Sequence, residues 1–314
     1  MLSIVIPTYN REGPLKKCID SILPQYQEDL EVILIDDCST DGTAAWLKEL
    51  GSQYRWIKIH INTVNKGVNY SRNRGIEKAT QPYILFLDSD DELAPGSLEN
   101  VEMTIGANPS FTHLLFVVSD RKTEFETMLN SRSVTYEDWL SSRISGDFTH
   151  VVDSKIMKQY PFFEQFRTFE HLNWLRVKKT TAPQLLSPLI VANRERGRSD
   201  CLTDTMRLRN GHVIRSKFEA EKIYYSLYHD DLRKYNPSSL SNQLLQAITL
   251  GIACDKKSDS RRLVRYADSV IVKVMANFLL LFPSPVVKRL CSLKYTGAVL
   301  NCDNSLSRCC PFAA

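Results

Sequence analysis

The chain has 314 residues, 43% hydrophobic and 24% charged, with a formal net charge of +4. This is ordinary globular composition, enough for one large domain or two modest ones, and so small a net charge gives no ground for nucleic-acid binding. No uninterrupted apolar run reaches the roughly 20 residues that a membrane-spanning helix needs.

Leu2–Ile6 is a continuous apolar run ending at Pro7, and it reads as a strand buried on both faces. It is short and has no basic segment before it, so no secretory leader is expected. Leu15, Cys18, Ile19 and Ile22 recur at the spacing of one helix face, with Pro14 suited to its first turn. Val32–Ile35 is a second strand, followed at once by Asp36 and Asp37; Asp41 is placed to cap a helix carrying Leu47 and Leu50. Trp56–Ile61 alternates as a third strand, and Asn69 or Ser71 opens a short helix. Tyr83–Leu87 is a fourth strand ending in acids, Pro95 starts a helix with Leu98, Val101 and Ile105, and His113–Val118 is a fifth strand. Strands separated by helical patterns predict an α/β fold with a mostly parallel sheet, whose ligands bind outside the carboxyl ends of the strands.

Residues 130–215 are less regular and rich in aromatics, among them Phe148, Tyr160, Phe162, Phe163, Phe166, Phe169 and Trp174. Helices are predicted over Ser216–Tyr228, Ser239–Ala253 and Ser260–Phe282, the last stopped by Pro283 and Pro285. The stretch Lys256–Lys294 carries a net +7, leaving the rest of the chain at −3. The expected organisation is an α/β region over 1–215 (a regular half to 120, then a less regular half over 121–215), a basic helical region over 216–300 and a tail over 301–314. The eight cysteines show no CxxC pair and no regular framework, so reduced structural thiols are expected.

The polar residues after each strand should converge. They are Pro7-Thr8-Tyr9-Asn10-Arg11, Asp36 to Gly42, Asn65-Lys66-Gly67 leading to Ser71-Arg72-Asn73-Arg74-Gly75, and Asp88-Ser89-Asp90-Asp91. Like charges held together need a cation or hydrogen-bond donors to offset them. Asp88-x-Asp90 has the spacing at which two carboxylates share a hard divalent ion, which can bridge to substrate phosphate.

The four stretches SIVIPTYNR (3–11), VILIDDCSTDGT (32–43), NKGVNYSRNRG (65–75) and YILFLDSDDEL (83–93) resemble, in order and separation, the inverting glycosyltransferases of family 2 with the GT-A fold. The resemblance implies a mixed, mostly parallel sheet flanked by helices, with a C-terminal helical extension. It implies that Pro7, Thr8 and Tyr9 line the base pocket, with Arg11 near the nucleotide. Asp36 or Asp37 would accept from the uracil imide, and Gly67 would belong to the same pocket. Arg72 would face the nucleotide-sugar, Asp88 and Ser89 the ribose or sugar, and Asp90 a Mn²⁺ or Mg²⁺ on the diphosphate. The family's catalytic base, usually from a Glu-Asp pair opening a helix, matches Glu170-His171 here; the second acid is a histidine, so both are candidates. Arg194 to Ser199 is a basic loop able to close over a diphosphate.

As partners the resemblance implies a UDP-sugar donor and a lipid-linked acceptor such as a sugar on polyprenyl diphosphate, in O-antigen or capsule synthesis, with no nucleic acid and an open oligomeric state. Val274–Val287 has no charge and basic flanks, which suits a peripheral site on the inner face of the cytoplasmic membrane. A nucleotidyltransferase would want a Gly-rich loop after the first strand, and PTYNREG supplies none. A nucleotide-sugar-binding protein without turnover is the alternative, kept open by the altered Glu-His site.

Overall fold

The computed structural model describes residues 1–167, 169–194 and 211–289. By packing, the chain divides into two compact units, Met1–Tyr136 with Asp147–Gly197, and Glu137–Gly146 with Arg198–Ala314.

The first unit is built on one nine-stranded sheet. Its strands are β1 (Leu2–Thr8), β2 (Leu30–Asp36), β3 (Ile57–Ile61), β4 (Tyr83–Phe86), β5 (Asp91–Leu93), β6 (His113–Val118), β7 (Arg132–Val134), β8 (Thr149–Asp153) and β9 (Gln184–Arg194). The order is β3-β2-β1-β4-β8-β6-β9-β5, with β7 also paired to β9. Pairings among β1 to β4 are parallel, as is β6 with β9. β8 runs antiparallel between β4 and β6, while β5 and β7 run antiparallel to β9. The fifth strand read from the sequence, β6, is therefore separated from β4 by β8, a strand the irregular middle concealed.

The continuous apolar runs follow from helices on both faces. Leu2, Ile4 and Ile6 of β1 and Val32 and Leu34 of β2 pack on one side with α1 (Glu12–Ile22), α2 (Thr43–Gln53) and α4 (Ser97–Ala107). Val5, Ile33 and Ile35 pack on the other with α3 (Val68–Lys78), α6 (Ser154–Gln159) and α7 (His171–Thr180). A short α5 spans Tyr136–Leu140. Gly75 lets α3 lie against the sheet, because a Cβ there would sit 2.3 Å from Val5 Cγ1.

The second unit is helical: α8 (Gly211–Tyr235), α9 (Pro237–Ala253), α10 (Lys257–Leu263) and α11 (Val270–Leu281). Pro237 occupies the first turn of α9 and Asn236 caps it, accepting from Ser239 N at 3.2 Å, so this helix starts two residues before the expected Ser239. The single basic helix expected over Ser260–Phe282 is instead two. A 3-10 turn at Val264–Tyr266 ends α10, and Ser269 caps α11 by accepting from Ile271 N. Phe282 is extended, as the residue before Pro283 should be.

Candidate active site

The carboxyl ends of β2, β1 and β4 are neighbours in the sheet, so their loops lie within about 10 Å of one another at the usual strand spacing. Of the five non-glycine residues in the left-handed region among the described residues, three sit around these tips or before α7: Asn10 (φ 51°), Cys38 (φ 64°) and Phe169 (φ 73°). Such backbone persists only where its surroundings hold it, and it clusters at functional sites. The loops after β1 and β2 clasp each other: Asn10 N donates to Ser39 Oγ at 2.8 Å, and Thr40 N donates to Asn10 Oδ1 at 2.7 Å. Arg11 N donates to Thr43 Oγ1 at 3.1 Å. Pro7 and Thr8 are buried at the end of β1, whereas Tyr9 is exposed at the rim. The buried Thr8 hydroxyl has no hydrogen-bond partner among the described residues.

The two adjacent acids do different things. Asp36 accepts from Ser39 N at 3.0 Å and from its hydroxyl, which shapes the loop after β2. Asp37 accepts from Asn62 Nδ2 at 3.0 Å, Lys66 N at 3.0 Å and Gly67 N at 2.6 Å. A carboxylate offers about four acceptor positions, so Asp37 retains one beyond these three donors. Gly67 has φ 95°, and a Cβ there would meet Arg167 Cγ at 2.8 Å, which explains a glycine at this turn. Both amide atoms of the Asn65 side chain are buried without a partner among the described residues. An orphaned donor and acceptor side by side are costly unless a ligand completes them.

Arg72, on α3, joins the two halves of the site. Its Nη2 donates to Asp88 Oδ1 and its Nη1 to Glu170 Oε1, each at 2.8 Å. Its side chain is 12% exposed, that of Asp88 43% and that of Glu170 26%, so the cation lies beneath two more open carboxylates. Burial opposes the charge on Arg72, but Asp88 and Glu170 outweigh it and raise its pKa. Burial would likewise raise the Asp88 carboxyl, yet Arg72 and Arg194 hold it below the usual carboxylate range. Glu170 stands at the N-terminus of α7 just after the strained Phe169; His171 is the first residue of that helix, its ring 6.1 Å from the Phe169 ring.

Ser89 is buried, and Asp90 is partly exposed with no partner for its carboxylate among the described residues. Next to it, Asp91 pairs with Arg194 at 3.4 Å, and Arg194 also pairs with Asp147 at 3.2 Å. The register of β5 against β9 sets Asp91 opposite Arg194. Burial, then the charge of Asp88, push the Asp91 carboxyl up to about 7 against the pull of Arg194. These two acids, Asp91 and Asp147, are the site neighbours that motif reading did not assign. Of the basic loop Arg194–Ser199, Arg194 is placed beside the acids; 195–199 lie outside the described residues.

Beneath α7 the site rests on aromatics. Trp174 stacks on His150 at 3.8 Å and meets Phe86 and Phe162 edge-on, and the Arg72 guanidinium lies 5.6 Å from the Phe162 ring centre. His150 Nδ1 is 2.9 Å from His113 Nε2, and burial drives both imidazoles well below their usual pKa, so this pair is neutral. A separate groove of about 630 Å³ runs between α3 and the 161–165 segment, with Asn73, Phe163 and Arg176 in its wall and none of the strand-tip acids.

The profile of the family described as "Glycosyl transferase family 2" matches residues 3–168. Over 186 residues the chain is 31% identical to GalNAc(5)-diNAcBac-PP-undecaprenol beta-1,3-glucosyltransferase of Campylobacter jejuni; the match covers 57% of this chain and 60% of that relative's length. It is 25% identical over 253 residues to UDP-Glc:alpha-D-GlcNAc-diphosphoundecaprenol beta-1,3-glucosyltransferase WfgD of Escherichia coli, covering 80% of this chain and 94% of that one. Among solved structures, S. aureus TarS 1–349 in complex with UDP-GlcNAc superposes with a TM-score of 0.57 at 18% identity, over 93% of this chain and 92% of that one, a likeness of fold.

Proposed function

The chain belongs to glycosyltransferase family 2, and from that premise we propose that it moves one hexose, glucose or galactose, from a UDP-sugar to a hydroxyl of a lipid-linked sugar with inversion at the anomeric carbon. The acceptor is of the GlcNAc-diphosphate-polyprenol kind and the setting O-antigen or capsule synthesis; the two relatives, named for action on a PP-undecaprenol and on a diphosphoundecaprenol, support this. In this reading the first unit carries the catalysis, with a catalytic region proposed over 1–215, and the basic region proposed over 216–300 lies at the inner face of the membrane.

The observation that carries the reading is the bridge from Asp88 through Arg72 to Glu170. It ties an acid of the donor side to the residue proposed as general base. Glu170 Oε2 has no hydrogen bond among the described residues and is the atom proposed to take the acceptor hydroxyl's proton as that oxygen attacks C1. Glu170 is favoured over His171 because it is the one tied to Arg72. On the donor side, Thr8 and the orphaned Asn65 amide suit the edge of a uracil ring, which offers an imide N–H between carbonyls. Pro7, Tyr9, Arg11, Asp36, Asp37 and Gly67 shape that pocket.

Asp90, with Asp88, fits a Mn²⁺ or Mg²⁺. Three carboxylates crowd this strand end; burial first, and then the charges of Asp88 and Asp90, raise Asp91, and the repulsive part is what a divalent ion would relieve. Among the described residues no group of three His, Cys, Asp or Glu is arranged to hold a metal ion; an ion proposed here would rest on one or two carboxylates and the donor phosphates. Such an ion would neutralise the departing diphosphate. Arg72 and Arg194 add positive charge on the same side.

The test is turnover of UDP-glucose and UDP-galactose with a synthetic GlcNAc-diphosphate-lipid and Mn²⁺. Asp90→Ala and Glu170→Gln should each lower kcat by at least about 10². Normal turnover in Glu170→Gln, with loss in His171→Ala, would move the base to the histidine. Tight UDP binding with no transfer to any acceptor would sink the enzyme reading.

A further inference from the structure

The second unit carries a surface that the reaction does not use. On α11, Val270, Ile271, Val274, Met275, Phe278 and Leu281 are between 49% and 76% exposed. Their spacing puts them along one side of the helix, while Val272, Ala276 and Leu280 are buried on the other. Six large apolar side chains in one stripe exceed the scattered exposure ordinary on a soluble surface. Val286, past Pro283, is exposed as well.

The charge around the stripe selects among occupants. From Ser269 to Arg289 there is no acid, and Lys273, Lys288 and Arg289 are all exposed. A two-fold contact with a second copy would set these cations against themselves. An anionic lipid surface meets both features, taking the apolar stripe into its headgroup boundary and the cations at its phosphates. The helix has 12 residues, about 18 Å at the usual rise, which suits lying in the interface rather than crossing it. Among the described residues no helix is long and apolar enough to cross a membrane.

We propose that the outward face of α11 docks on an anionic bilayer, with Val270, Val274, Phe278 and Leu281 inserted and Lys273, Lys288 and Arg289 at the headgroups. This extends the reading of a membrane-borne acceptor by naming the surface that meets the membrane, and its evidence is independent of the active site.

The test is sedimentation of the full chain with vesicles of phosphatidylcholine alone and of phosphatidylcholine mixed with phosphatidylglycerol. Wild type should partition onto the mixed vesicles. Val274→Glu with Phe278→Glu should lower that partitioning at least about tenfold. Replacing Lys273, Lys288 and Arg289 by serine should lower it by about 10², at roughly fivefold for each cation, on anionic vesicles only. All five positions are exposed, so folding should survive; Met103→Glu, an exposed apolar site on α4, serves as the control that should change nothing. Emission from Phe278→Trp should shift to the blue, relative to wild type, on the same vesicles. Transfer to a short-chain, water-soluble acceptor separates the two readings. Val274→Glu with Phe278→Glu should retain it, whereas a chain that binds vesicles but acts on no UDP-sugar would sink the transferase reading and support this one. Wild type left in the supernatant of both vesicle types would overturn the proposal. So would a dimer, seen by analytical ultracentrifugation, that Val274→Glu with Phe278→Glu dissociates.

Discussion

Arg72 holds two carboxylates through separate nitrogens of one planar fork, a task that a lysine ammonium, with a single charged atom on a flexible stem, cannot repeat. Removing the charge outright would leave Asp88 and Glu170 half-buried and facing each other, so an alanine variant would mix folding with chemistry. Arg72→Lys is the cleaner probe. Losing one charge-assisted hydrogen bond, worth about 1.5–3 kcal/mol, should misplace the proposed base and lower kcat/KM by roughly 10- to 100-fold in steady-state assays, with a stability loss no larger than that one bond. Wild-type kinetics in that variant would show that the bridge does not position the base. At this scale the motifs were informative about residue type and uninformative about partner. Asp37 stood out as an acid after a strand, but its bonds to Asn62, Lys66 and Gly67 depend on how the loop after β3 returns.

Among the elements, β2 is fastened to its neighbours at the end remote from the site by one buried acid. Glu31 accepts from Ser3 of β1, Lys58 of β3 and Thr80 before β4. Burial alone would raise this carboxyl, but Lys58, Ser3 and Thr80 hold it at about 2. A depressed acid pKa contributes stability above its unfolded value, near 4.5, and that stability is lost as pH falls towards 2. The shift predicts a loss of about 3 kcal/mol over that range. Urea unfolding at pH 7 and pH 3 should show about 2 kcal/mol of it in the wild type and much less in Glu31→Gln. The neutral His113–His150 pair acts at higher pH, destabilising the fold as pH drops below about 6.5, because the unfolded imidazoles then take up protons that the folded ones do not. Comparison with Glu31→Gln separates the two effects. Glu31 was not singled out in the sequence, since a lone acid within an apolar strand carries no motif.

At the scale of the whole chain, the proposed donor pocket and the basic helices belong to different compact units. Hydrogen exchange with UDP and Mn²⁺ should therefore slow amides at 8–11, 36–41, 65–72 and 88–91, and leave Pro237–Ala253 unchanged, since a ligand protects the segments it closes. Protection confined to Pro237–Ala253 would refute the placement of the donor site. The sequence by itself determined the first half of this molecule. Runs such as Leu2–Ile6 and Val32–Ile35 must be covered on both faces, and the polar residues that follow parallel strands must gather at one edge. That was enough for the fold, the family and the strand-tip acids. Only the tertiary structure decided that β8 enters between β4 and β6, that Arg194 faces Asp91, and that Glu170 is drawn to Arg72 from 98 positions away. Local propensity and periodicity act over a few residues, whereas strand order, register and the pairing of distant charges are set by which packing buries the most apolar surface and leaves the fewest polar groups unmatched.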